Sequence, residues 1–373
     1  MHCVRILHTA DWHLGKENSY LGALSGERKY EILSTALRAI ALCEEENVDI
    51  MLVAGDIFDT NRIEDSLVNE IIEAFGQLTR TKVVIALGNH DPLTADSPFK
   101  NRKLSPNTYV LPENDYVLDF ESLGCRVYGS SFGSVYKTGS DRFFITADDD
   151  DKINLMVLHG ETRADLSSSY RSITKNFIEE SGMDYIALGH NHKRSEVVKL
   201  GSTRFAYSGC IEGQGYDEDG EKGVYLGNVT KLGADLKFIP LAKRTHHCLD
   251  VDVSGDKTAT EAIKEAIVSA SSNPKDDLFR ITLKGNVDPE TVINVNELSA
   301  KLSSEVYNLR LKDRTGIKVD LELLAKENSL KGKFVSEMLK RISEAEESQK
   351  QLFINALRIG LKSFDGQVNY GED

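Results

Sequence analysis

The chain has 373 residues, 40% of them hydrophobic and 28% charged, with a formal net charge of −14. That length suits two or three domains with an ample core, and the acidity argues against a protein that coats nucleic acid through bulk charge. The expected setting is the cytoplasm: the chain enters an apolar run at once rather than a leader, no run approaches the roughly 18 apolar residues of a membrane span, and the five scattered cysteines, with no C-x-x-C pair, fit reduced thiols.

The first apolar run lies in Val4–Gly15, VRILHTADWHLG, and ends in Asp11 and His13. Tyr30–Glu45 carries apolar residues at helical spacing. Ile50–Ala54 is strand-like and runs into AGDIFD, with Asp56 and Asp59. The stretch Ile63–Leu78 predicts a helix whose stripe (Leu67, Val68, Ile71, Ile72, Phe75 and Leu78) packs on its own sheet or, failing that, makes a homodimer face. Val83–Leu87 is a strand followed by LGNHDP, with Asn89, His90 and Asp91. The acidic run Ala147–Lys152, ADDDDK, reads as a solvated loop. Ile153–Leu158 ends at His159, and Tyr185–Leu188 ends at the pair His190 and His192 of LGHNHK. Apolar runs of this length, closed by polar clusters, are how buried strands read.

After Pro240 the pattern changes to a compact βαβαβ unit: Leu249–Val253, Thr258–Ser271, Leu278–Leu283, Thr291–Leu302 and Asn308–Lys312. Two amphipathic helices follow, Leu330–Ile342 and Gln351–Phe364, joined by the polar linker Glu344–Lys350. Their apolar faces must be buried, either on the βαβαβ unit or in a partner's groove. Gly360 would weaken the second helix in isolation by about 1 kcal/mol, so a partner or a tight packing contact is expected there. The domain boundaries expected are 1–243, 247–316 and 317–373.

Five polar clusters each follow a strand-like run. In a layered α/β fold such strand ends converge on one edge, where loops gather groups from distant sequence. Carboxylates, imidazoles and one amide carbonyl suit manganese, iron or zinc rather than calcium, and the lack of thiolate argues against a structural zinc. The candidates are too many for one ion and enough for two, which about 3.5–4 Å apart would clamp both oxygens of a phosphoryl displacement. His8 is expected in the core or behind the ligands, and His246 and His247 away from any metal. Cys210 has no assigned role.

The series D-x-H, G-D-x-x-D, G-N-H-D, H and G-H-x-H resembles the calcineurin-like metallophosphoesterase superfamily. HTADWHLG with GDIFD looks like the SbcD-type DNA repair nucleases, and Ala206–Gly227, AYSGCIEGQGYDEDGEKGVYLG, is similar to their YhaO-type bacterial exonuclease branch. The resemblance implies an α/β fold, a two-sheet β-sandwich flanked by helices, with the βαβαβ unit as a cap for DNA recognition. It implies two divalent ions, most often Mn2+: one on Asp11, His13, Asp56 and His192, the other on Asp56, Asn89, His159 and His190, with Asp56 bridging. His90 would protonate the leaving oxygen or steady the transition state, and Asp59 would orient His90. Lys16, Arg62, Lys193 and Arg194 flank these loops as candidate phosphate contacts. The implied activity is exonuclease on duplex DNA ends and endonuclease on single strands, in DNA repair with an SbcC-type coiled-coil ATPase that binds the segment after the cap. The alternatives are a phosphatase or small phosphodiesterase acting on nucleotides or phosphoproteins, and a non-catalytic scaffold subunit.

Overall fold

The computed structural model describes residues 2–135, 145–148, 150–163, 170–255, 257–287, 293–318 and 320–364. The chain forms two compact units, Met1–His246 and His247–Asp373.

In the first unit β1 (Val4–Thr9), α1 (Ser25–Glu45), β2 (Ile50–Val53), α2 (Asp65–Gln77), β3 (Lys82–Ile85) and β4 (Thr108–Val110) alternate as the hydrophobic pattern predicts. Then come β5 (Tyr116–Phe120), β6 (Cys125–Gly129), β7 (Ile153–His159), β8 (Glu161–Arg163), β9 (Ser172–Thr174), α3 (Lys175–Glu180) and β10 (Tyr185–Gly189). Two antiparallel pairs complete it: β11 (Val198–Leu200) with β12 (Thr203–Tyr207), and β13 (Gly223–Thr230) with β14 (Gly233–Pro240). Two six-stranded sheets result, in the orders β14-β13-β1-β2-β3-β4 and β11-β12-β10-β7-β6-β5.

Alternation along the strands builds three layers of core. Ile6, Ile50, Leu52 and Val84 of the first sheet face Val127, Leu155, Val157 and Ala187 of the second. The odd face of the first sheet, with Leu7, Met51, Val53, Val83 and Ile85, packs on Ile32, Ala36 and Ile40 of α1 and on Val68, Ile71 and Phe75 of α2. That packing accounts for the α2 stripe within one chain. The outer face of the second sheet, Met156, Leu158, Ile186 and Leu188, meets Ile178 of α3. The fold is the expected helix-flanked two-sheet sandwich. Its parallel central strands are buried on both faces, so they read as unbroken apolar runs.

Register fixes where the chemistry falls. Thr9 pairs with Val53, Val53 with Ile85, and Gly189 with His159, all in parallel. The carboxyl ends of β1, β2, β3, β7 and β10 therefore lie along one edge of the sandwich. The acidic run before β7 is a charged surface loop: Asp148 and Asp150 lie 3.4 and 2.7 Å from the Arg126 guanidinium, and Lys152 bridges Asp119 and Glu121; Asp149 falls outside the described residues.

The second unit carries β15 (His246–Asp252), α4 (Ala259–Ala270), β16 (Leu278–Lys284), β17 (Asn286–Val287), α5 (Val295–Leu302), β18 (Asn308–Asp313) and β19 (Gly316–Ile317). The sheet order is β15-β16-β18, with β16 and β18 parallel and a small β17-β19 pair beside them. The helix α5 starts later than the apolar pattern suggested, because the Asn294 side chain accepts the N–H groups of Asn296 and Glu297 and caps it there; residues 288–292 lie outside the described residues.

The described residues close with three helices: α6 (Leu321–Ala325), α7 (Leu330–Glu344) and α8 (Glu347–Phe364). The expected linker is mostly helix, leaving only Ala345 and Glu346 between α7 and α8. Among the described residues, the apolar faces do not join the core of the βαβαβ unit. They meet each other, with Leu324, Val335, Met338, Leu357 and Leu361 at the centre. Gly360 is the tight contact: a Cβ there would stand 2.1 Å from Cζ of Phe334. No described helix is long and apolar enough to cross a membrane.

Candidate metal centre

The loops leaving the strand ends lock onto one another through their backbones. Past β1 the chain runs beside the loop past β2, with N–H groups of Asp11, His13 and Leu14 donating to the carbonyls of Gly55, Asp56 and Ile57. Asp11, His13, Asp56 and His190 all adopt positive φ, at 54, 45, 54 and 94°. Such non-glycine conformations cost on the order of 1–3 kcal/mol each and persist only where neighbours enforce them. Carboxylates do the enforcing: Asp91 accepts from the backbone of Asp56, Ile57, Phe58 and Gly88, Asp56 from that of His90, and Asp11 from that of His190. Asp91 thus holds the loop and does not enter the cluster. The glycines of G-N-H-D and G-H-x-H are demanded by this closeness, since a Cβ on Gly88 would lie 2.1 Å from Oδ1 of Asp56 and one on Gly189 would lie 1.8 Å from the Ala54 carbonyl.

Seven predicted side chains are brought to this edge. Asp11, His13 and His192 present ligand atoms within 4.8 Å of one another, and so do Asp11, Asp56 and His159. Asp56 Oδ2 lies between the two groups, 3.6 Å from His13 Nε2 and 3.3 Å from His159 Nε2. The Asn89 carbonyl oxygen is 3.0 Å from the same His159 nitrogen. The ring of His190 stands edge-on to that of His159, 5.2 Å between centroids, with Tyr170 over it at 5.1 Å. Asp11, Asp56, His13 and His159 are buried, while His192 is partly open.

Three imidazoles share one arrangement. His13 Nδ1 is 3.2 Å from Asp59, His159 Nδ1 is 2.8 Å from the Ala54 carbonyl, and His192 Nδ1 is 2.5 Å from Glu218. Each Nδ1 is committed as a donor to an oxygen outside the cluster, so each Nε2 faces the carboxylates. His13 Nε2 and His192 Nε2 approach to 3.0 Å. Burial pushes the Asp56 carboxyl up, but His159, His13 and His90 outweigh it and hold the group well below the usual carboxylate range. Burial pulls His159 down, but Asp56, Asp11 and the Ala54 carbonyl carry it up to about 9. Burial lowers His190 to about 4, and the neighbouring His159 adds to it. A donor set of carboxylates and inward-facing imidazole nitrogens, gathered in a buried pocket, fits divalent cations.

His90 stands at the open side, with its side chain 44% exposed. Its ring meets that of His13 edge-on at 4.6 Å. The expected Asp59 contact takes a different form. The Asp59 backbone carbonyl, 3.0 Å from His90 Nδ1, orients the ring, while the carboxylate is 3.8 Å away and binds His13 instead. With Nδ1 so engaged, His90 Nε2 is left for a ligand.

His8 is buried behind the site, bonded to the Tyr185 hydroxyl and the Leu188 carbonyl, and burial drops it to about 3, a neutral core histidine. His246 bonds to the Tyr20 hydroxyl, and His247 pairs with Asp277 and stacks on Phe279. Of the candidate phosphate contacts, Lys16 is half-buried and Arg62 and Lys193 are exposed. Arg194 lies over the Phe238 ring at 4.3 Å, with Glu196 at 3.3 Å. Glu218 and Gln214, which bond to His192 and to the Trp12 carbonyl, were not singled out from sequence. They lie in a polar loop without periodicity, and only their closeness in the fold marks them.

The chain belongs to the calcineurin-like phosphoesterase family, whose model matches residues 4–194. Members of that family bind two divalent metal ions, and the His/Asp clusters are candidate ligands for them. Over 347 residues the chain is 25% identical to "Uncharacterized metallophosphoesterase YhaO" of Bacillus subtilis (strain 168), covering 83% of this chain and 81% of that protein. Among solved structures it is similar to TT1561 of Thermus thermophilus, with 8% identity and a TM-score of 0.39, over 63% of this chain and 98% of that one. Membership of the family makes the chain a metal-dependent phosphoester hydrolase.

Proposed function

We propose that this metallophosphoesterase is a manganese-dependent DNA nuclease. It hydrolyses phosphodiesters from duplex ends and within single strands, in the cytoplasm, in DNA repair alongside an SbcC-type coiled-coil ATPase. The observation that carries the catalytic reading is the half-exposed His90 beside the buried carboxylate–imidazole cluster. When bound, two ions supply the positive charge that acidifies a water and offsets the charge of the phosphoryl group. Asp11, His13, Asp56 and His192 would hold one, and Asp56, Asn89, His159 and His190 the other. The Asp59 carbonyl keeps the His90 proton on Nδ1, and a protonated His90 donates from Nε2 to the departing oxygen. Asp59, by its carboxylate, steadies His13. Lys16, Arg62 and Lys193 border these loops and would grip flanking phosphates.

DNA as substrate, rather than a small phosphoester, is supported by the second unit: a sheet with two helices and a three-helix end exceeds what a small substrate needs. The reading is tested by degradation of plasmid and labelled hairpin DNA with manganese, beside para-nitrophenyl phosphate esters. Turnover of DNA well above that of the small esters is expected; the reverse would leave only the phosphoesterase.

A further inference from the structure

The loop from Ser208 to Lys222, between β12 and β13, is tied to the site more closely than its polar sequence suggests. The N–H of Cys210 and the amine of Lys222 both donate to the His192 carbonyl, each at 3.2 Å. The Gln214 amide donates to the Trp12 carbonyl at 2.8 Å, between Asp11 and His13. Glu218, buried, places one oxygen 2.5 Å from His192 Nδ1 and takes the Gln214 N–H with the other at 2.7 Å. The loop is itself anchored. Glu212 binds the fully buried Arg28 at 2.5 Å, the Thr35 hydroxyl at 2.8 Å and the Lys243 N–H at 2.5 Å. Arg28 also donates to the Gly213 carbonyl at 2.8 Å.

We propose that Glu218 is a positioning residue for one of the two ion sites: by accepting the Nδ1 proton of His192, it turns Nε2 of that ring onto Asp11, His13 and Asp56. This rests on the ligand reading above. An imidazole whose Nδ1–H has no partner rotates and exchanges tautomers, and a carboxylate behind it removes both freedoms and makes the ring a stronger donor. His159 gets the same service from the Ala54 carbonyl, just past β2 in the facing sheet. His192 is partly exposed and lies two residues past the left-handed His190, beyond the end of β10, so nothing in its own strand orients it. Glu218, brought from a distant loop, does so. Loss of Glu218 therefore acts on one ion and spares the other.

The test uses the full chain with manganese alone, measuring bound metal by equilibrium dialysis and the exchange-coupled ion pair by electron paramagnetic resonance. Glu218→Ala is expected to weaken one of the two ions by about 10–100-fold and to replace the coupled-pair signal by that of a single ion. Glu218→Gln, which still offers an oxygen to Nδ1, is expected to show a smaller loss confined to the same ion, and it carries the test should Glu218→Ala not fold. Wild-type affinity for both ions in Glu218→Ala, or equal weakening of both ions in either variant, would overturn the proposal. His192→Ala separates the two levels. If it keeps both ions, the ligand reading fails; if it loses one while the Glu218 variants lose none, only the role of Glu218 fails.

Discussion

His13 and His192 meet Nε2 to Nε2 at 3.0 Å, while each Nδ1 is held by a carboxylate, that of Asp59 for one and Glu218 for the other. Two nitrogens so oriented cannot bond to each other without a proton or a cation between them. Asp56 stands behind the pair and also reaches His159. Asp56→Ala is therefore expected to lose both ions and all hydrolysis. In the wild type, manganese at about 100 times its dissociation constant should add roughly 2.7 kcal/mol to stability. Unfolding curves with and without metal should coincide in Asp56→Ala; a surviving metal-dependent shift would show that one site stands without the bridge.

The edge that carries this chemistry was legible because its two determinants are local. Buried parallel strands such as Ile153–His159 are unbroken apolar runs, and each candidate ligand sits within a few residues of a strand end. What was not legible depended on partners far away in sequence. Edge strands such as Tyr116–Phe120 are short, exposed and mixed in polarity. Glu218 and Glu212 look like any loop acids until the fold sets them against His192 and Arg28, 26 and 184 residues away. Asp59 was expected to orient His90 through its side chain, but a residue number cannot tell a carboxylate from a carbonyl. The apolar stripes of α7 and α8 were plain; that they face each other follows from Gly360 letting Phe334 close in.

His90→Ala should keep two ions and lose turnover by about 10²–10⁴-fold, the usual worth of a general acid. Its ring is half-exposed and its Nδ1 is spent on the Asp59 carbonyl, so its removal leaves the buried donors intact. Calorimetric titration of the variant with manganese checks this; loss of an ion would make His90 a ligand.

Manganese should support far faster hydrolysis than magnesium. Inward-facing imidazoles suit the softer ion, whereas magnesium prefers oxygen donors and gives up its waters reluctantly. Rates measured after stripping trace metals decide it, and equal rates would contradict the nitrogen-rich reading of the site.

Acid should weaken the first unit through Glu31. Burial opposes its ionisation, but Arg244, Lys243 and Arg28 prevail and lower its pKa from the ordinary 4.5 to about 2. A depressed carboxyl stabilises the fold fully above 4.5, and that contribution drains away as pH falls toward 2. Glu31→Gln, which takes one carboxylate from buried Arg28 and Arg244 while Glu212 and Glu27 remain, should cost roughly 2 kcal/mol at pH 7. The gap between variant and wild type should narrow steadily below pH 4.5. Urea unfolding at pH 7, 5 and 3 measures it, and a constant gap would mean that the Glu31 charge contributes nothing.

The three C-terminal helices offer the last test, because they satisfy each other and still leave apolar groups out. Val335, Met338, Leu357 and Leu361 form their joint core. Leu330, Leu352 and Ile359 stay 74, 68 and 58% exposed. Leu352, Ala356 and Ile359 recur at helical spacing on α8, a stripe apart from the one that meets α7. The proposed ATPase is the partner that would cover it, as a groove accepts an amphipathic helix. Among the described residues, the βαβαβ core contributes none to this helical cluster. A chain ending after Lys318, which preserves the β17–β19 pairing, is therefore expected to keep the ions and manganese-dependent cleavage of single strands. It should lose association with the ATPase and ATP-stimulated processing of duplex ends. Leu352→Glu with Ile359→Glu in the full chain should do the same without disturbing the joint core. Capture of the ATPase by the double variant at wild-type strength would assign the exposed stripe no part in that partnership.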